Sequence, residues 1–242
     1  MINIIFGGSS GLGKDLVYEA AKKNISSIII SRNKTDLEII ASDIFLKYKV
    51  KICYIAFDLS KDDQNYNLLY SFLKKNIKEK VDYFFTIGYV NDSDMVYNFD
   101  SHFDKIFNTN FKSIARIVNF LIKSKLLNET DSLNFFGSIA SIRGRSKNVF
   151  YSCSKKAIIS YYESLRHSLK NNVNLFLLGY MDTRMIEGKK IILPAGSPTL
   201  LARKIVKNKN KNFGYVYYPY YWFFIRLIIK LIPWKIYKKI DF

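Results

Sequence analysis

The feature that most limits how this chain can fold is a short apolar run that breaks directly into glycines. Ile2–Phe6 reads as a buried strand, and Gly7-Gly8-Ser9-Ser10-Gly11-Leu12-Gly13 follows it without a spacer. Leu12, Leu16, Val17 and Ala20 then recur at helical spacing, which predicts a helix over Gly11–Lys23. A strand, a tight turn and a helix in that order aim main-chain N–H groups at one point. The helix's positive end faces the same point, so the turn suits a pyrophosphate. Glycine-rich stretches are common by themselves; one set between a strand and a helix points to a nucleotide. Gly7, Gly11 and Gly13 are the expected turn positions, with Ser9, Ser10 and Leu12 lining the bound phosphates.

The same alternation continues. Ser27–Ile30 is a β-branched run followed by a helix from about Asn33 to Lys49, and Val50–Phe57 alternates before stopping at Asp58. Lys61–Lys80 fits a helix, Asp82–Ile87 an aromatic strand, Asp104–Lys125 a long helix and Leu133–Phe136 another strand. Tyr151–Lys170 is amphipathic, and Val173–Leu178 is a further apolar strand. Strands and helices alternating at these lengths predict an α/β fold, a doubly wound parallel sheet with helices on both faces. No repeat or linker interrupts it before about residue 190, so residues 1–190 are expected to form the core and 191–242 a substrate side and tail of the same domain.

A chain of 242 residues buries a full core, and 49% hydrophobic content is globular. Cys53 and Cys153 have no paired spacing, which predicts a reducing compartment and neither a disulfide scaffold nor a cysteine metal site. The first residues lack the basic flank of a signal peptide, so the expected location is cytoplasmic. His102 and His167 are isolated, and no metal is expected. The formal charge is +18, and 12 basic residues against Asp241 alone lie between Lys189 and Phe242. Coding bias toward lysine explains the total as well as function does. It explains the asymmetry less well, which suggests an anionic membrane surface or an acidic substrate. No zinc-finger, RNP or helix-turn-helix signature is present, so nucleic acid is not an expected partner.

Which dinucleotide fits is decided at the end of the second strand, where an acid binds the ribose 2′-hydroxyl of NAD. Here stands Ser31-Arg32-Asn33; a guanidinium without a carboxylate favours the 2′-phosphate of NADP over NAD. Asp58, with Leu59 after it, closes the third strand where an adenine amino group would lie.

Tyr151 and Lys155 stand at i and i+4, on one helix face. A free tyrosine, with a pKa of roughly 10, is a poor base at neutral pH. A neighbouring ammonium stabilises the phenolate, so the hydroxyl can exchange a proton with an alcohol or carbonyl oxygen while hydride moves to or from a cofactor. With these residues in place the chain resembles the short-chain dehydrogenase/reductase family over about residues 2–186. Gly7, Gly11 and Gly13 match its glycine pattern, Ser138 lies 13 residues before Tyr151, and Asn110 falls in the central helix. Gly179-Tyr180-Met181-Asp182-Thr183 looks like its segment after strand six. The resemblance implies a Rossmann-type fold, and Ser138 holding the substrate oxygen. It implies Tyr151 as proton donor or acceptor, Lys155 on the ribose, and Asn110 ordering a relay water. Thr183 would contact the nicotinamide carboxamide, Gly88 would be a further cofactor-binding residue, and a homo-oligomer is expected. Three departures stand out: Phe6 replaces the usual Thr, Phe85-Thr86-Ile87-Gly88 replaces Asn-Asn-Ala-Gly, and Leu178 replaces a Pro.

Arg143, Arg145 and Lys147 crowd the loop between Ser138 and Tyr151, which suggests a phosphate or carboxylate on the substrate; solvated surface charge is the plainer reading. Tyr215–Trp234 is densely aromatic and aliphatic, with Arg226 and Lys230 inside and Lys235, Lys238 and Lys239 behind. Two internal charges make it a poor span. A hydrophobic-basic helical tail over 215–240 is predicted, lying in a bilayer interface, or else covering the pocket or forming a dimer contact. The leading expectation is an NADP(H)-dependent interconversion of ketone and secondary alcohol on a small-molecule or lipid-linked sugar substrate, anionic in character, at the inner face of a membrane. The alternatives are a soluble reductase of small carbonyls and a non-catalytic nucleotide sensor on the same fold.

Overall fold

In the computed structural model, residues 1–61, 65–91, 94–97, 99–183, 193–208 and 211–240 are described. Seven strands, all parallel, form one sheet in the order β3-β2-β1-β4-β5-β6-β7. They are β1 (Ile2–Phe6), β2 (Ser27–Ser31), β3 (Ile52–Ala56), β4 (Val81–Phe85), β5 (Ser132–Ser138), β6 (Asn172–Leu178) and β7 (Tyr215–Tyr218). The helices are α1 (Gly11–Ala21), α2 (Lys34–Tyr48), α3 (Tyr66–Asn76), α4 (Phe99–Phe107), α5 (Ser113–Lys123), α6 (Val149–Ser168), α7 (Pro198–Lys207), α8 (Trp222–Leu231) and α9 (Trp234–Tyr237). Strands covered on both faces need no polar alternation, which is why β1 and β4 are buried along their whole length. One apolar cluster joins the sheet to α3, α5 and α6, and the other joins it to α1, α2 and α7. The strand order reverses between β1 and β4, and an open cleft forms outside the carboxyl ends of strands at such a point.

Several expected boundaries shift. The strand predicted over Asp82–Ile87 ends at Phe85, where Thr86 turns to the glycine loop. The helix expected over Lys61–Lys80 begins at Tyr66, capped by Asn65; positions 62–64 lie outside the described residues, as does the boundary at 190. The long helix predicted over Asp104–Lys125 is three pieces. Between α4 and α5, Asn108–Lys112 winds as a π-helix around Asn110. The tail is the largest correction: Tyr215–Tyr218, expected to be helical, is an edge strand paired with β6. Its residues read Tyr-Val-Tyr-Tyr, a β-branched and aromatic set that favours a pleated surface over a helix. Helix α7, not expected as a separate element, packs beside α1, where Thr199 donates to Asp15 and Arg203 to Glu19.

The departure at Phe6 is compensated in the core. Its ring stacks on Phe85 at 5.4 Å, and Phe85 stacks on Phe135 at 4.8 Å, so an aromatic row crosses β1, β4 and β5. Each such pair contributes about 1 kcal/mol beyond its buried area.

Candidate active site

The cleft has a volume of about 930 Å³. Its lining includes Ser9, Ser10, Gly11, Leu12 and Lys14 from the glycine loop, with Thr183 standing over Gly11, and also Gly88, Ser138, Tyr151 and Lys155. The glycine loop makes the first wall. Gly7 and Gly11 hold φ of +91° and +49°, a region L side chains rarely enter. A Cβ on Gly13 would stand 2.3 Å from the Gly7 carbonyl oxygen, so helix α1 could not start this close to its own turn with any other residue. Thr86, in the stretch that departs from the family pattern, ties the loop down: its hydroxyl reaches the Phe6 and Gly7 carbonyl oxygens at 2.9 and 3.1 Å. In the sequence Thr86 stands out only as a departure from the family pattern.

Of the residues expected to select the cofactor, Ser31 shares a 2.8 Å hydrogen bond with Ser9. Arg32 is exposed at the end of β2 and does not line the cleft, while Lys14 does. Asn33 accepts from the main-chain N–H groups of Thr35 and Asp36, so it caps α2. Asp58 accepts from the Ser60 N–H and hydroxyl. Against the desolvation that burial imposes, those bonds and the Arg32 charge hold its carboxyl below the ordinary range. Neither Asp58 nor the buried Leu59 lines the cleft.

Ser138, Tyr151 and Lys155 do come together. Ser138 ends β5, and its hydroxyl accepts from the Ala140 N–H at 3.2 Å. Burial pushes the Tyr151 hydroxyl above its ordinary pKa, opposed by the neighbouring Ser138 side chain and by the Arg145 charge. Lys155 is 5% exposed; its ammonium lies 5.9 Å from the Tyr151 ring centroid and donates to the Phe136 carbonyl at 3.2 Å. Burial pulls its pKa down to about 8.

Asn110 lies outside the cleft wall, fully buried in the π-helix. Its side chain accepts from Tyr89 N–H at 2.6 Å, and donates to the Tyr89 carbonyl at 2.8 Å and to the Ser154 hydroxyl at 3.1 Å. It thereby fastens the segment after β4 to the helix that carries Tyr151.

Asp94, which sequence reasoning missed, fastens the other end. Asn148 before α6 has a left-handed backbone and gives no side-chain cap. Instead the fully buried Asp94 carboxylate accepts from the Phe150 and Tyr151 N–H groups, both at 2.8 Å. A carboxylate at a helix's positive end is favourable, and two buried donors depend on it. Its separation of 56 residues from Phe150 hid it from local pattern. Asp94→Ala should lower unfolding free energy by about 2–3 kcal/mol, with Asp94→Asn keeping roughly half. Chemical denaturation of the three proteins reads this, and equal midpoints would contradict it.

The basic loop separates into different roles. Arg145 lines the cleft, and its Nε is buried without a hydrogen-bond partner among the described residues. Arg143 faces away: it donates to the carbonyls of Ile229 and Ile232 at 2.8 and 2.6 Å and lies 4.1 Å over the Tyr237 ring. Lys147 is exposed.

The family model described as short chain dehydrogenase matches residues 2–191. A very-long-chain 3-oxoacyl-CoA reductase of Candida albicans is 44% identical over 61 residues, which is 25% of this chain and only 18% of that protein. A hydroxysteroid 11-beta-dehydrogenase 1-like protein B of Xenopus laevis is 25% identical over 229 residues, taking in 90% of this chain and 77% of the relative. Among solved structures, a short-chain dehydrogenase from Sphingobium yanoikuyae in complex with NADPH superposes with a TM-score of 0.79 at 14% identity, covering 96% of each chain. With the parallel sheet, the glycine turn and the match over most of its length, the chain belongs to the short-chain dehydrogenase family.

Proposed function

We propose that this protein is an NADP(H)-dependent oxidoreductase that interconverts a ketone and a secondary alcohol. The observation that carries the reading is the meeting of Ser138, Tyr151 and Lys155 in a cleft that the glycine loop also lines. The residues present fit a dinucleotide. The turn holds positive φ at Gly7 and Gly11 ahead of the amino end of α1, and one cleft takes in that turn together with Gly88 and Thr183. When bound, the nicotinamide supplies or accepts hydride. Ser138 holds the substrate oxygen, Tyr151 gives or takes its proton, and Lys155 supplies the charge that makes a phenolate accessible. Asn110 has its side chain committed to Tyr89 and Ser154, so any water it orders would meet its main-chain oxygen.

Two cations support NADP over NAD: Lys14 in the cleft wall and Arg32 at the end of β2. A charge-assisted bond to phosphate contributes about 1.5–3 kcal/mol. Arg32→Ala should therefore weaken the preference for NADPH over NADH by about 10- to 100-fold, with Lys14→Ala acting in the same direction. Ratios of kcat/KM for the two cofactors read this; unchanged ratios in both variants would remove the argument for NADP.

The substrate side favours an anionic or lipid-linked compound, such as a lipid-linked sugar, over a small neutral ketone. Arg145 supports this, since it lines the same cleft as Tyr151. Free Cys53 and Cys153 agree with work in a reducing compartment, at the inner face of a membrane. Assembly of identical copies belongs to the same reading. A panel of ketones and keto sugars followed by NADPH absorbance tests it; turnover of none would favour the nucleotide-sensing alternative.

A further inference from the structure

Helix α8 turns its apolar side to the outside. Trp222 is its one buried residue, inserted against Gly179 of the cleft wall so closely that a Cβ there would stand 1.9 Å from the indole nitrogen. Phe223, Phe224, Leu227, Ile228 and Leu231 are all exposed, Ile228 to 62% and Leu231 to 82%. Their spacing makes one continuous stripe along the helix. Trp234, Ile236 and Ile240, beyond the end of α8, are exposed as well. Single apolar residues on a surface are ordinary, whereas a contiguous, charge-rimmed patch marks a contact.

The segment carries charge of one sign. Residues 222–240 contain Arg226, Lys230, Lys235, Lys238 and Lys239 and no Asp or Glu. The Arg226 charge, with partial burial and the Lys156 charge, holds the Lys230 ammonium below its ordinary pKa. Crowded cations of this kind are relieved by an anionic partner. Two copies meeting stripe to stripe would instead bring like charges together, which is costly. A bilayer cannot be crossed here: α8 has ten residues, about 15 Å of helix against the roughly 30 Å of a hydrocarbon core. Among the described residues no helix is long and apolar enough to span.

We propose that α8 and α9 dock flat on an anionic phospholipid leaflet, with the apolar stripe at the acyl boundary and the lysines among the headgroups. The occupant is the lipid surface itself. Arg143 ties the docked segment to the loop between Ser138 and Tyr151, and Trp222 ties it to the cleft wall at Gly179. The cleft is thus held beside the leaflet, where an amphipathic substrate can reach Tyr151. That consequence rests on the reductase reading, while the docking does not.

The test is co-sedimentation of the full chain with vesicles of phosphatidylcholine alone and of phosphatidylcholine mixed with phosphatidylglycerol, at low and high salt. Wild type should bind the anionic vesicles at least about tenfold more than the neutral ones, and salt should weaken binding. Ile228→Glu with Leu231→Glu should abolish binding. Lys235→Gln, Lys238→Gln and Lys239→Gln together should cut it by at least about tenfold. Both variants should melt like wild type and reduce a water-soluble ketone at the wild-type rate. Absence of ketone turnover in all three proteins would count against the reductase reading and leave the vesicle result to be read alone. Wild type remaining in the supernatant with anionic vesicles would overturn the proposal. So would equal binding by the Ile228/Leu231 variant, or self-association in sedimentation velocity that this variant dissolves while vesicles capture nothing.

Discussion

Tyr151→Phe should reduce kcat for ketone reduction by about 10³-fold while leaving the NADPH dissociation constant within about twofold of wild type. The substitution removes one oxygen and keeps the ring, whose Lys155 neighbour and Asp94-capped helix remain. What disappears is the proton donor beside Ser138. General acid catalysis is worth roughly 10²- to 10⁴-fold, and in the proposed assignment Ser138 holds the substrate oxygen and does not protonate it. The pH dependence should separate the two directions. Reduction needs Tyr151 protonated, and burial raises its pKa, so kcat/KM for reduction should stay flat into the alkaline range. Oxidation needs the phenolate and should climb as pH rises. Steady-state rates in both directions with one ketone and alcohol pair provide the check; parallel profiles would contradict the assignment.

Lys155→Met should lose turnover by a similar factor, yet make the protein without added cofactor more stable at neutral pH. An unfolded lysine keeps its proton up to about 10.4, whereas Lys155 in the fold releases it near 8. Between those values the unfolded chain binds more protons, so the wild type gains stability as pH rises through the window. Below about 8 both states are protonated and the whole penalty of a buried ammonium remains, on the order of 3 kcal/mol. Methionine has no charge to bury. It also gives up the bond to the Phe136 carbonyl, which offsets part of the gain. A net gain of about 1–2 kcal/mol at pH 7 should shrink toward pH 10. Urea denaturation at both pH values measures it. A destabilised Lys155→Met at pH 7 would mean that the lysine is held for structure instead of being kept, at a cost, for chemistry.

The parts of the molecule legible in the sequence are those written locally. Gly7, Gly11 and Gly13 answer to backbone geometry within one turn, and Tyr151 and Lys155 to one helical period. Alternating apolar runs carry the parallel sheet, because strands buried on both faces are continuous in hydrophobicity. What escaped depends on partners distant in the chain. Asp94 caps a helix 56 residues later, and Thr86 closes a loop 79 residues earlier. The break at Asn108–Lys112 leaves the apolar spacing of the long helix intact, so periodicity alone passes over it. Tyr215–Tyr218 looks like the start of an apolar helix until β6 offers it an edge. The loop cations divided only in space, with Arg143 committed to the tail and Arg145 turned to the cleft.

The central claim is that hydride passes between a nicotinamide and a substrate carbon while Tyr151 handles the proton. It is tested most directly with NADPH deuterated at C4 and a ketone panel, reading the alcohol product by mass spectrometry. The account predicts that wild type places one deuterium on the carbinol carbon and that Tyr151→Phe forms product about 10³-fold more slowly. No label in any product, or label transfer by Tyr151→Phe at the wild-type rate, would contradict it.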